Sequence, residues 1–290
     1  MRLALRRGVL LVIAGALTAC SAPGVSLPFS EPAAAVVDGH TISMKAYQAR
    51  LEVSRHRDPF AGIPEAVPSP ATAQRLQIFT IEQLVREEIV RQEAEKRGIS
   101  VRDGALDSRI TSLKAQAGTT TFSATLQSNG FTSDSFRTYQ RALLIEVALL
   151  HTMAKDRADS AARELNAGQP FASVAARWSD DSGTSTRAGD VGWLRPDDLP
   201  EAPLAAAVQS LAAGNVSPII PTNRGYVIAT VLERRADQVH LAVILVLAPA
   251  VDLFSPQGTP SWFIKFIDDR DAALRRAGRI ELKVGGRANG

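Results

Sequence analysis

The chain has 290 residues, 45% of them hydrophobic, which suits one domain of moderate size or two small ones and is enough for an apolar core. Lys and Arg number 33 against 30 Asp and Glu, and no Lys/Arg cluster supplies the basic face that releases counterions from nucleic acid, so nucleic acid is excluded as a partner. The single cysteine, Cys20, excludes an intramolecular disulfide.

In chain order, Arg2, Arg6 and Arg7 precede an apolar run over residues 8–17. That run is too short to span a bilayer and has the layout of an export signal. Leu17-Thr18-Ala19-Cys20 resembles the bacterial lipobox. The resemblance implies cleavage before Cys20 and lipidation of its thiol, rather than an ordinary secretory signal with a chance cysteine. Cleavage there removes three arginines and no acid, leaving 30 charges of each sign. More than one acyl chain gives a stable anchor. With Ser21 next, the sorting pattern of two-membraned bacteria directs such a chain to the outer membrane, facing the periplasm. Residues 20–33, with Pro23, Pro28 and Pro32, read as a tether.

Residues 34–42 read as two short strands around an Asp38-Gly39 turn. Ser43 caps a helix running to His56. A loop follows, with Pro59, Pro64, Pro68 and Pro70. Over 71–97, Ile78, Ile81, Val85 and Ile89 form one apolar stripe, and Gly98 stops the helix. Asp103 opens a further helix to Gln116, a short one surrounds 122–127, and Ser133 or Asp134 caps a long one over 135–155. Residues 262–276 read as a helix and 278–284 as a strand.

The segment 34–150 is similar to the N-terminal chaperone domain of SurA and related foldases. The most specific stretch is Glu88 to Val101, EIVRQEAEKRGISV. In that family a C-terminal helix and strand return to the N-terminal domain, which implies the same here.

Residues 171–231 carry FASVAARWSDDSGTSTRAGDVGWL, an Ala-rich helix and GNVSPIIPTNRGYVIATV. They resemble the parvulin type of peptidyl-prolyl isomerase. The resemblance implies an α+β fold: a mostly helical SurA-like domain with an inserted parvulin-like module of antiparallel sheet and helices. The expected divisions are 1–19 signal, 20–33 tether, 34–155 helical domain, 156–235 parvulin-like module, and 236–290 packing on the helical domain or completing the parvulin sheet.

Carried over by position, the family's acidic or thiol group falls on Asp181, the catalytic group if the module is active. The glycine-rich bend falls on Gly189, Asp190, Gly192 and Trp193, with Ala188 in place of the first glycine. The substrate pocket falls on Leu194, Leu199, Leu204 and Val227, with Trp193 beside them. Val227 stands where the family carries its second histidine, and a valine can neither donate nor accept a hydrogen bond. No strand of the form (V/A)-x-x-H-I-L-V lies upstream of Ser160. The matching run is 238–246, where Val243 takes the histidine's place. That run is either the missing central strand, supplied from the C-terminal side, or an ordinary strand or linker of the helical domain. His40, His56, His151 and His240 have no metal-ligand spacing, and neither metal nor cofactor is expected. Asp180 and Asp181 read as a solvated or capping pair rather than as a metal site.

The resemblance thus implies a lipid-anchored extracytoplasmic folding factor that binds unfolded or nascent exported polypeptides without ATP, its parvulin module weak or inactive. An active isomerase and a single-partner envelope scaffold are the alternatives.

Overall fold

The computed structural model describes residues 31–56, 70–249 and 259–284. The expected signal, the lipidation site Cys20 and most of the proline-rich loop lie outside the described residues. Among those described, no helix is long and apolar enough to cross a membrane.

β1 (Ala33–Val37) and β2 (His40–Ser43) form an antiparallel hairpin. Asp38 and Gly39 turn it with φ of 53° and 84°. Two successive positive φ values make the primed turn that matches strand twist, and Asp-Gly accepts it at low steric cost. The Ser43 hydroxyl accepts from the Ala46 amide at 3.1 Å, capping α1 (Met44–His56). α2 (Pro70–Lys96) opens on Pro70, which the sequence assigns to the preceding loop. Proline suits the first helical position, where its missing N–H has no helical partner anyway. Ile81, Val85 and Ile89 of α2 are buried as one stripe, while Ile78 is half-buried.

α3 (Asp103–Ala117) and α4 (Thr119–Ser128) follow, joined at Gly118. α5 (Ser133–Asn166) is a single helix of 34 residues, about 51 Å long at 1.5 Å per residue. Thr132, rather than Ser133 or Asp134, caps it. The Thr132 hydroxyl accepts from the Ser135 amide at 3.1 Å, and the Ser135 hydroxyl accepts from the Thr132 amide at 2.9 Å. The expected division between residues 155 and 156 therefore lies inside one helix.

α8 (Ser261–Arg276) buries Phe263, Ile267 and Leu274 against α2, β1 and Leu149 of α5. β7 (Ile280–Leu282) then pairs antiparallel with β1, giving a three-stranded sheet of order β2-β1-β7. The C-terminal segment thus closes the core that the N-terminal hairpin opens.

A second sheet holds β3 (Asp190–Leu194), β4 (Ile220–Thr222), β5 (Gly225–Arg235) and β6 (Gln238–Leu247), in the order β3-β6-β5-β4, with every pair antiparallel. α6 (Phe171–Trp178) and the second half of α5 cover one face, where Val174, Ala175 and Ala161 meet Ile228 and Ile244. α7 (Ala202–Ser210) covers the other, where Leu204 and Val208 meet Val227, Leu241 and Leu245. Burial on both faces explains why 239–246 is an almost unbroken apolar run.

Candidate functional site

The motif WSDD follows α6 and is stitched to β6. The Asp180 amide donates to the Leu245 carbonyl at 2.7 Å, and the Leu245 amide donates to the Ser179 hydroxyl at 3.2 Å. Further along, the Val243 amide donates to the Gly189 carbonyl at 2.8 Å. These bonds satisfy the edge of β6 that extends beyond β3. Gly189 has φ 82°, and a side-chain carbon there would lie 2.5 Å from the Val243 carbonyl oxygen. Glycine is required on both grounds. Ala188, beside it, also takes the left-handed conformation, with φ 62°.

The pocket positions read from the sequence divide between the two sheet faces. Leu194, Leu199, Leu204 and Val227 join one apolar cluster with Val243, Leu241 and Leu245. Leu204 and Val227 are buried at its centre, while Leu194, Leu199 and Val243 are partly exposed around them. Trp193 is not with them. Neighbours along a strand point to opposite faces, so Trp193 and Leu194 cannot line one pocket. Trp193 instead stacks on His240, its cross-strand partner, with ring centroids 5.2 Å apart, and Arg235 lies 4.3 Å from the Trp193 ring centre. His240 Nε2 sits 2.8 Å from Asp190 Oδ1. Desolvation raises the Asp190 pKa, but the hydrogen bonds from His240 and the Gly192 amide outweigh it and hold the carboxyl below its usual range.

Val227 pairs with Leu245, and Val243 pairs with Ala229 on the same face. The two valines are diagonal neighbours, about 7–8 Å apart by sheet geometry. The two positions that the parvulin resemblance assigns to histidine thus share one surface and carry only methyl groups. Asp181 follows α6, and its carboxylate accepts from the Thr184 hydroxyl at 2.6 Å and faces Arg224 at 4.0 Å. Leu194, Leu199 and Val243 give the apolar cluster a partly exposed rim. Neither valine side chain can donate or accept a hydrogen bond.

One group of residues was not legible as a site. Asp180 turns inward, where its carboxylate accepts from the Leu247 amide and the Trp262 indole N–H, each at 2.9 Å, and pairs with Arg157 at 3.6 Å. The Arg157 guanidinium lies over the rings of Trp178 and Trp262, 5.2 and 4.7 Å from their centres. Burial pushes the Asp180 carboxyl up, against the pull of Leu247, Arg157 and Trp262, and burial also lowers Arg157. α5, α6, β6 and α8 meet at this pair.

A second apolar surface lies in the helical domain. Phe122, Phe131, Phe136 and Leu126 surround a cavity of about 270 Å³ beneath α4. On the far side of Phe131 a cavity of about 520 Å³ is lined by α1, α2 and the start of α5, including Lys45, Arg50, Glu87 and Asp134.

A helical domain closed by its own C-terminal segment, joined to a parvulin-like sheet, defines the class of SurA- and PrsA-like foldases. A family profile described as SurA-like N-terminal domain matches residues 2–150, and the chain belongs to that family. A second, the PPIC-type PPIASE domain, matches residues 149–233 and stops short of β6. The chain is 42% identical over 80 residues to Chaperone SurA of Aromatoleum aromaticum, covering 27% of this chain and 18% of that one. It is 23% identical over 279 residues to Chaperone SurA of Chromobacterium violaceum, covering 78% and 63%. Foldase protein PrsA of a Geobacillus species is 24% identical over 172 residues, covering 51% and 62%. The chain therefore spans less than two thirds of the length of each of these relatives. A SurA-like chaperone structure from Campylobacter jejuni is 14% identical, covering 87% of this chain and 99% of that one with a TM-score of 0.27.

Proposed function

We propose that this chain is an extracytoplasmic folding factor that holds unfolded exported polypeptides without ATP. On this reading it is tethered to a membrane through lipid on Cys20, and its parvulin-like module grips apolar segments without isomerising prolyl bonds. The observation that carries the reading is the valine pair. Twisting a peptidyl-prolyl bond crosses a barrier of about 18–20 kcal/mol. A catalyst lowers it with polar groups aimed at the twisted amide, and Val227 and Val243 provide none where the family provides two imidazoles. The apolar cluster around Leu199, Leu204 and Val227 still offers a seat for a proline ring or an aliphatic side chain.

The competing reading, a working isomerase, draws on Asp181, which keeps a hydrogen-bonding carboxylate. A proline-peptide isomerisation assay on residues 20–290 separates the two. The expected rate is the uncatalysed one, on the order of tens of seconds per event, with unchanged behaviour in Asp181→Ala. A rate well above background that Asp181→Ala abolishes would establish the isomerase instead. The double variant Val227→His/Val243→His, which restores both imidazoles to one surface, is the gain-of-function control. Suppression of aggregation across several unrelated unfolded proteins is expected of a general chaperone, and suppression of one alone would indicate a single-partner scaffold.

A further inference from the structure

α4 is held differently from every helix packed in the main core of its domain. None of its residues is buried, and its N-terminus has no side-chain cap. It is bounded by Gly118 and Gly130, both in the left-handed region with φ of 78° and 73°. A side-chain carbon at Gly118 would meet nothing within 4 Å, whereas one at Gly130 would lie 2.7 Å from His56 Nδ1 and 2.9 Å from the Glu52 carbonyl oxygen, so the open joint is at Gly118 and the far end of α4 is held against α1. α4 touches the domain through Phe122 and Leu126, one helical turn apart, which join an apolar cluster with Phe131, Phe136 and, from α3, Ile110 and Leu113. The Phe122 and Phe136 rings meet edge-to-face at 5.6 Å. Beneath this contact lies the cavity of about 270 Å³, so the seat is incompletely filled. Phe131 separates it from the larger cavity beside α1 and α2, whose wall carries Ser43, Arg50, Glu87 and Thr138.

We propose that α4 is a lid, and that its displacement admits an apolar segment of an unfolded polypeptide onto Phe131 and Phe136. α4 itself identifies the chemistry of the occupant. Phe122 and Leu126 fill the seat when the lid is shut, and a client fills it with side chains of the same kind. With α4 aside, the aromatic seat becomes continuous with the more polar cavity, whose side chains can hydrogen-bond a client's backbone. A helix with no fully buried residue and one open joint, at Gly118, opens at low cost relative to global unfolding. The lid keeps an apolar patch covered until a client is present, which guards against self-association.

The proposal rests on the reading that the chain holds unfolded polypeptide, and two measurements judge them apart. Native-state hydrogen exchange without client is expected to show amides 122–128 exchanging at least about 100-fold faster than amides 145–152 of α5. Comparable protection in the two segments overturns the lid, whatever the client assay gives. Binding of a permanently unfolded, carboxymethylated protein then tests the direction. Phe122→Ala/Leu126→Ala removes the lid's grip and leaves Phe131 and Phe136 in place. It is expected to bind that client about fivefold or more tightly than the natural chain, whereas Phe136→Ala weakens binding. Unchanged or weaker binding by the double variant, with the natural chain binding, overturns the lid. Should the natural chain bind no client, the chaperone reading falls and the exchange result alone decides whether α4 opens.

Discussion

Two adjacent carboxylates, Asp180 and Asp181, separate structure from surface chemistry at the level of single residues. Asp181 accepts one hydroxyl, while Asp180 is 14% exposed and receives a backbone amide, an indole and a guanidinium. Removing one partner of such a pair strands the other, so Asp180→Ala leaves Arg157 uncompensated between two indole rings. A loss of about 3–5 kcal/mol in urea unfolding is expected. Asp180→Asn keeps an acceptor and tests the charge. Because burial raises the folded-state pKa above the unfolded value, the native state binds the proton more tightly. Asp180 therefore erodes stability as pH rises from the unfolded carboxyl value of about 3.9 through the raised folded value. The natural chain is expected to lose stability relative to Asp180→Asn across that window, and a relative gain would contradict the assignment. None of this was visible in the sequence, where the pair reads as solvated or capping. The partners lie 23, 67 and 82 positions away, and no local pattern connects them.

Among the elements, β6 decides whether the second sheet exists. It lies between β3 and β5, and its Val243 amide is bonded to Gly189 rather than to solvent. Proline at 243 removes that donor and does not fit a central strand. Val243→Pro is expected to cost more than about 3 kcal/mol and to abolish the near-ultraviolet circular dichroism of Trp193 and Trp178. A retained spectrum and midpoint would show that β6 does not hold the sheet. The apolar run 238–246 announced a strand from its residues alone. Its place could not be read, because an unbroken apolar run records burial on two faces but not which strands supply the flanks. The separation of Trp193 from Leu194 was within reach of the sequence, because a two-residue period forbids both from lining one pocket, but the carry-over from the family placed them together. The short helix around 122–127 was legible, while the cavity beneath it depends on Phe131 and Phe136, which lie before and within the next helix.

For the whole molecule, α5 matters because it belongs to both parts. Its first half packs Leu149 against α2 and α8, and its second half packs Ala154, Ala158 and Ala161 against β5 and β6. A long helix over 135–155 was readable. Its continuation to Asn166 was not, since a domain boundary drawn from family resemblance falls between residues 155 and 156, where no glycine or proline interrupts the chain. A shared rigid helix, with Trp262 of α8 bonded to Asp180 beside the second sheet, leaves the two parts without an independent unfolding route. The natural chain is expected to unfold in one transition, with the Trp193 near-ultraviolet signal and the far-ultraviolet helical signal coinciding. Ala154→Pro breaks the ladder at a fully buried position midway along α5, at a cost of about 3 kcal/mol or more. It is expected to uncouple the two signals, with the sheet melting at lower denaturant than the core around Ile81, Val85 and Phe263. Two separate transitions in the natural chain, or one coincident transition in Ala154→Pro, would mean that α5 does not carry the coupling between the helical domain and the sheet.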